Sequence, residues 1–212
     1  MNLRNKKIAV GTNSTKSQIL RKAEDLFSRY NYYAVSMDQI ARLVNTTKAA
    51  IYYYFKSKRD LYLQILANSF GLLGDSLEVV LKKEDAVERK LYKVIKTYID
   101  FCLNQREIVS FSMQKMSKED SVIIKFVNNL RSEIVDLLEP LVREVLTERR
   151  VKEGKKITAK IDTRLTTSLL TDMMDAFVVR QSSNKKDKLD SAKIADQIMA
   201  LIFSKEGSPK KK

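Results

Sequence analysis

The chain has 212 residues, enough for one or two domains, and it carries a formal net charge of +14. It contains five Gly, two Pro, one Cys and no His. So few turn residues favour an all-helical fold, and the lack of His removes the usual transition-metal ligand and the usual general base. The net charge of +14 favours a polyanionic partner or an anionic membrane surface. Because the usual general base is missing, an enzyme is the least favoured class.

The positive charge is concentrated near the N-terminus. Residues 1–60 hold twelve Lys and Arg against four Asp and Glu, whereas residues 61–204 hold 24 against 21. Polyanion binding is therefore expected of the N-terminal part. The single cysteine, Cys102, cannot form an internal disulfide. Neither a signal peptide nor an apolar run of the ~20 residues that a membrane span needs is present, so the cytoplasm is the expected compartment.

Helical periodicity begins after a short basic arm, residues 1–13. The first helix is predicted from Ser14 or Thr15 to about Asn31. The second opens at Ser36, which forms a capping box with Gln39, and it ends where Asn45 tolerates the left-handed conformation of a tight exit. The third runs from Thr46 or Thr47 to about Tyr53. Further helices are predicted over residues 57–82, with Ser57 and Asp60 as a second capping box, 85–104, 106–116, 118–150, bent or broken at Pro140, 160–181 and 188–204.

The second and third helices are predicted to form a helix-turn-helix. Two short helices joined by a tight turn place the second helix in the DNA major groove, provided that an apolar inner face fixes the angle between them. That inner face is supplied by Ile40, Ala41, Val44, Ile51 and Phe55. The opposite face of the third helix presents side chains suited to phosphates, base edges and thymine methyl groups: Thr47, Lys48, Tyr52 and Tyr53.

Three stretches resemble the N-terminal signature of TetR-family regulators in order and spacing: Ile19 to Tyr32, Ser36 to Ala41 and Lys48 to Leu61. The resemblance covers about residues 17–62. It implies an all-α fold of about nine to ten helices, with an N-terminal three-helix DNA-binding domain and a C-terminal helical domain for ligand binding and dimerisation. The implied bounds are 1–56, 57–204 and a disordered basic tail, 205–212.

The resemblance also implies a set of DNA-binding residues. Ser36 and Lys58 would hold phosphates, and Tyr54 stands where the family often has a phosphate-contacting aromatic residue or histidine. The full implied set is Ser36, Met37, Thr46, Thr47, Lys48, Ala49, Tyr52, Tyr53, Tyr54 and Lys58. The chain departs from the family pattern at Asn31-Tyr32 in place of Gly-Tyr, at residues 44–47 in place of Ala-Gly-Val-Ser, and at Ala49 in place of a common Gly. The last difference leaves the base preference open.

The C-terminal half shows no Gly-rich phosphate loop, nucleophile motif or paired metal ligands, so no cofactor, metal or catalytic residue is expected. By resemblance its helices enclose an effector cavity, although each of the following residues is also ordinary core material: Phe101, Phe111, Met113, Met116, Phe126, Met173 and Phe177. Its last two helices carry broad apolar stripes, which predict a two-fold dimer interface through Leu165, Leu169, Ala176, Ile194, Ile198 and Ile202.

The expected function is therefore that of a homodimeric repressor. It would bind double-stranded operator DNA of pseudo-palindromic sequence and would leave it when a largely apolar small molecule binds. The alternative is a helical protein that binds nucleic acid without sequence preference. Gly71 and Gly74, inside the long fourth helix, either permit close packing or soften that helix.

Overall fold

The computed structural model describes residues 14–30, 32–105, 121–153, 162–182 and 190–203, and all the regular structure within them is helical. The helices of these residues are α1 (Thr15–Arg29), α2 (Met37–Leu43), α3 (Lys48–Tyr54), α4 (Lys58–Lys82), α5 (Val87–Asn104), α6 (Ser121–Glu153), α7 (Thr163–Ser182) and α8 (Ser191–Phe203). The all-helical prediction is confirmed. The predicted helix 106–116, the basic arm 1–13 and the tail 205–212 lie outside the described residues.

Helices α1, α2 and α3 form the N-terminal head. The hydroxyl of Ser14 caps α1 by accepting a hydrogen bond from the Ser17 N–H at 3.2 Å. The apolar face of α1, including Ile19, Ala23 and Phe27, is almost fully buried and packs against α2, α3 and α4. Each of the two short helices is too short to be stable alone, so their position depends on this shared core.

Helix α4 connects the head with the rest of the protein. It packs against α1 at one part of its surface and against α5 and α6 at another, and one buried apolar cluster extends from the head through α4 to α8. The Ser69 hydroxyl of α4 donates a hydrogen bond to Glu24 Oε1 of α1 at 2.8 Å. Gly71 and Gly74 are both buried, which agrees with the close-packing interpretation.

Helix α5 lies at the centre of the C-terminal half and contacts α4, α6, α7 and α8. Helix α6 continues from Ser121 to Glu153 with Pro140 inside it. Of the two predicted outcomes at this proline, a bend or a break, the break is therefore wrong. Pro140 is exposed, and the neighbouring Leu138, Leu141 and Val142 remain buried in one face. The packing of this face compensates for the backbone hydrogen bond that proline cannot donate. None of the described helices is both long and apolar enough to cross a membrane.

Candidate DNA-binding interface

Helix α2 begins with the predicted capping box. The Ser36 hydroxyl accepts from the Gln39 N–H at 3.2 Å, and the Ser36 N–H donates to Gln39 Oε1 at 2.7 Å. Both bonds satisfy backbone donors that a helix start would otherwise leave unpaired. Because the hydroxyl acts as an acceptor in this box, its own proton remains available for a phosphate oxygen.

The turn between α2 and α3 is fixed by its backbone. Asn45 has a φ of 52°, the left-handed conformation that asparagine tolerates and the sequence predicts at this position. The Asn45 N–H donates to the Arg42 carbonyl at 3.2 Å, and the Thr46 N–H donates to the Ala41 carbonyl at 3.0 Å. These two bonds are those of a Schellman motif, which closes the C-terminus of α2 and sets the direction of the chain into α3.

Helix α3 has one buried flank and one exposed flank. Ile51 and Phe55 are 0% exposed, and the Thr47 hydroxyl caps the helix by accepting from the Ala50 N–H at 3.1 Å. The exposed fractions of Tyr53, Tyr52 and Tyr54 are 83%, 44% and 36%. Thr47, Lys48 and Ala49 are also exposed. The inner face therefore holds α3 in place while its outer face is open to a partner.

A salt bridge joins the first turns of α2 and α3. Lys48 Nζ lies 2.8 Å from Asp38 Oδ2, and the two side chains are 48% and 56% exposed. The hydrogen bond to Asp38 raises the pKa of Lys48 above its ordinary value, so this lysine is charged at any physiological pH. Lys48 is one of the predicted DNA-binding residues, whereas its acidic partner Asp38 was not predicted from the sequence.

Lys58 begins α4 beside the head. Its ammonium lies 4.4 Å from the centroid of the Tyr32 ring, and burial lowers its pKa from the ordinary value. The Ser57 hydroxyl caps the helix by accepting from the Asp60 N–H at 3.0 Å. Asp60 Oδ2 accepts from the Lys56 N–H at 2.9 Å, whereas a capping box would bring it to the Ser57 N–H. The capping-box prediction at Ser57 is thus correct for one of its two bonds.

Met37 and Thr46 differ from the other predicted DNA-binding residues. Met37 is 5% exposed and belongs to the core, and Thr46 is partly buried in the turn. The remaining residues of the predicted set lie on or beside the outer flank of α3 or at the starts of α2 and α4: Ser36, Thr47, Lys48, Ala49, Tyr52, Tyr53, Tyr54 and Lys58.

The predicted effector residues lie in two different places. Phe101 is partly buried and packs edge-on against Phe70, with ring centroids 5.3 Å apart. Phe126 is also partly buried against the core, whereas Met173 and Phe177 are each 38% exposed on α7. Phe111, Met113 and Met116 lie outside the described residues. The described members of this set therefore do not surround one common cavity.

Two clefts flank α7. One, of about 470 Å³, lies between α6 and α7, and polar side chains dominate its lining, among them Asn128, Arg131, Arg164 and Thr171. The other, of about 300 Å³, lies between α7 and α8 and is mostly apolar, with Met173, Phe177, Ile194, Ile198 and Leu201 in its walls. The second cleft combines residues predicted for the effector with residues predicted for the dimer.

An apolar stripe along α7 is exposed to solvent. Leu165 and Leu169 are 56% and 59% exposed, and Met173 and Phe177 continue the stripe. Ala176 is exposed, and Ile202 on α8 is partly buried. Ile194 and Ile198 are each 5% exposed, because α8 packs them against α5. Of the residues predicted for the dimer, Leu165 and Leu169 offer the largest free apolar surface.

A buried polar cluster was not predicted from the sequence. Arg131 of α6 lies 2.5 Å from Asp175 Oδ2 and 2.7 Å from Asp172 Oδ1 of α7. The Cys102 thiol of α5 donates to Asp175 Oδ1 at 3.4 Å, and the Tyr98 hydroxyl hydrogen bonds to the same carboxyl. These groups are far apart in the chain, so no local sequence pattern predicts that they meet.

Helices α2 and α3 form a helix-turn-helix. One side of α3 is buried in the core and the other is exposed to solvent, which is the arrangement of a helix-turn-helix DNA-binding protein. The family model described as "Bacterial regulatory proteins, tetR family" matches residues 19–65, which span α1, α2, α3 and the start of α4. Residues 19–65 therefore match the DNA-binding region of TetR-family regulators, and the chain is a DNA-binding transcriptional regulator.

Two curated relatives align with large parts of the chain. The fatty acid metabolism regulator protein of Bacillus subtilis (strain 168) is 19% identical over 187 residues, which are 88% of this chain and 93% of the relative. The biofilm operon icaADBC HTH-type negative transcriptional regulator IcaR of Staphylococcus aureus (strain Newman) is 29% identical over 144 residues, which are 66% of this chain and 74% of the relative.

A solved structure shares the fold over nearly the whole length. The transcriptional regulator FadR from Bacillus subtilis, in complex with stearoyl-CoA, superposes with a TM-score of 0.70 at 19% identity. The match covers 88% of this chain and 97% of the FadR chain. The all-helical C-terminal half, beyond the reach of the family model, therefore belongs to the same fold.

Proposed function

We propose that the protein is a homodimeric repressor that binds a pseudo-palindromic operator through α3 of each protomer. The exposed outer flank of α3 carries this proposal: Tyr53 is 83% exposed on a helix whose opposite side is fully buried. So large an exposed aromatic side chain beside Thr47 and Lys48 is a surface suited to base edges and phosphates. The excess of basic residues over positions 1–60 supports a DNA partner. We propose a cytoplasmic location, because that is where bacterial operator DNA lies.

Two copies of α3 are needed to read two half-sites. In helix-turn-helix dimers these lie about one turn of DNA apart, roughly 34–36 Å, or slightly more. The stripe of Leu165, Leu169, Met173 and Phe177 supports the dimer, because it is an exposed apolar surface on a helix otherwise packed in the core. The proposed domain division follows: the head to residue 56 binds DNA, and residues 57–204 dimerise and bind the effector.

Replacing Tyr53 by Ala is expected to weaken operator binding about tenfold or more, because each protomer loses a base-edge or phosphate contact. Fluorescence anisotropy with a duplex selected by the wild-type protein from a random pool measures the effect. Tyr30→Ala is the matched control, since Tyr30 is 55% exposed on the same head but lies at the end of α1.

Equal binding by wild type and Tyr53→Ala would contradict the assignment of α3. Equal binding of the selected duplex and of random duplexes by the wild type would instead support the alternative, a nucleic-acid-binding protein without sequence choice. That alternative also predicts a steep dependence of affinity on salt for every duplex.

The proposed effector is a coenzyme A thioester with a long acyl chain. The support comes from a similar Bacillus subtilis sequence, that of a fatty acid metabolism regulator, and from a similar solved structure, that of a Bacillus subtilis regulator bound to stearoyl-CoA. Of the two clefts that flank α7, the mostly apolar one of about 300 Å³ is the one suited to an acyl chain. Such a ligand lowers DNA affinity only if it binds the DNA-free conformation more tightly than the DNA-bound one.

Saturating stearoyl-CoA is expected to raise the operator Kd on the order of tenfold or more, within the coupling typical of such switches. Coenzyme A alone and free stearate are the controls for the two parts of the ligand. The readouts are anisotropy of the selected duplex and thermal unfolding without DNA, since a bound effector raises the melting temperature. Unchanged values of both in stearoyl-CoA would remove this effector class.

A further inference from the structure

The Asp38–Lys48 salt bridge is placed where the proposed DNA partner arrives. Lys48 is the first residue of α3, and Asp38 lies in the first turn of α2. The described acids of α1 bond elsewhere, Asp25 to Arg29 and Glu24 to Ser69. In the first turn of α4, Asp60 bonds to the Lys56 N–H. Among the described acidic residues of the head, Asp38 is therefore the one that bonds to α3.

A carboxylate beside the reading helix opposes DNA of every sequence, because the duplex is a dense line of negative charge. Lys48 neutralises Asp38 as long as the two side chains stay paired. A phosphate that captures the ammonium must leave Asp38 uncompensated next to the polyanion. A simple phosphate contact by Lys48 therefore adds little to the affinity for DNA.

A base-edge contact is different, because an ammonium has three donors and a directed reach. Lys48 can keep one hydrogen bond to Asp38 and donate another to an acceptor such as guanine O6 or N7 in the major groove. The bridge then holds the ammonium at the N-terminal end of α3. Only a sequence with an acceptor at the matching position uses it.

We propose that Asp38 is a positioning residue for operator discrimination, which withholds the Lys48 ammonium from phosphates and directs it to a base acceptor. The inference rests on the proposed function, since it assumes that α3 reads an operator. Asp38 would then help the protein to distinguish its operator from other DNA, although it lies on α2 and not on α3, the helix proposed to read the operator.

The test compares two duplexes of equal length, one selected by the wild-type protein and one of random sequence. In Asp38→Asn the freed Lys48 reaches phosphates, so we expect affinity for the random duplex to rise on the order of fivefold. The slope of log K against the logarithm of the salt concentration should become steeper by about one. Operator affinity should change less than about twofold. Discrimination between the two duplexes therefore falls, whereas Asp38→Glu should retain it.

The matched control is Asp25→Asn, which makes the same change of charge on α1, where Asp25 pairs with the exposed Arg29. It should alter both affinities by a common factor. A second comparison places Asp38→Asn in a Lys48→Met background, where discrimination should no longer respond to residue 38. Both side chains of the bridge are about half exposed, so we expect all these variants to fold and melt as the wild type does.

Two outcomes would overturn the inference while leaving the proposed function intact. One is that Asp38→Asn, like Asp25→Asn, changes the affinities for the selected and random duplexes by the same factor. The other is a loss of discrimination in Asp38→Asn that persists in the Lys48→Met background, since repulsion by Asp38 alone would then explain it. A wild-type protein that selects no sequence from the pool would refute both the proposed function and this inference.

Discussion

Replacing Leu169 by Glu is expected to yield a folded monomer that no longer holds the operator. Leu169 is 59% exposed in the protomer, so the substitution leaves the core unchanged. In a two-fold interface the same patch meets its own copy, and two carboxylates enter the apolar contact together. Because unpaired charges are costly to bury, we expect the dimer Kd to rise on the order of a hundredfold or more. Analytical ultracentrifugation measures the mass, and anisotropy measures operator binding.

Leu72→Glu is the matched control for this prediction. Leu72 is a leucine of similar exposure, 54%, but it lies on α4 and outside the stripe on α7. It should leave the protein dimeric and able to bind the operator. A dimer that survives Leu169→Glu, or one that Leu72→Glu dissociates equally, would mean that protomers associate through another surface.

Replacing Arg131 by Met should destabilise the protein by about 3–5 kcal/mol, the usual cost of leaving a buried charge without its partner. The Asp175 side chain is 4% exposed and that of Arg131 17%, with 2.5 Å between their charged groups. Urea unfolding gives the change in the free energy of unfolding. Part of the loss should return in Arg131→Met/Asp175→Leu, where no buried carboxylate remains.

The Arg131→Met effect should depend on pH. Burial raises the pKa of Asp175 above its ordinary value of 3.8, although Arg131 opposes the shift. A raised pKa means that the folded state holds the proton more tightly, so this contribution to stability is complete below about pH 3.8 and is lost as pH rises through the folded pKa. Without Arg131 that pKa rises further. The variant should therefore lose more stability at about pH 8 than at about pH 5.

Arg143→Met controls for the substitution itself. Arg143 lies on the same helix and pairs with Glu139 at 2.7 Å, but its side chain is 64% exposed. Exposed pairs of this kind contribute little, so the urea midpoint should stay close to that of the wild type at every pH. A similar loss in both arginine variants would show that burial of the Asp175 pair is not what stabilises this region.

The sequence by itself determined the head, because its signals act within a few residues. Ser36 and Gln39 lie three apart and form the predicted box, and Asn45 adopts the predicted left-handed conformation. Ile51 and Phe55 are buried as their spacing predicts. The all-helical class and the helix order of the described residues followed from the same local rules.

Only the tertiary structure decided which distant groups meet and which surfaces stay free. The contacts of Asp38 with Lys48 and of Arg131 with Asp175 depend on how whole helices pack, and so do the burial of Ile194 and the exposure of Leu169. An apolar stripe has the same spacing in sequence whether it faces a core or a second protomer. Hydrogen bonds between neighbours in the chain are specified locally, whereas long-range contacts are specified by the packing of the entire core.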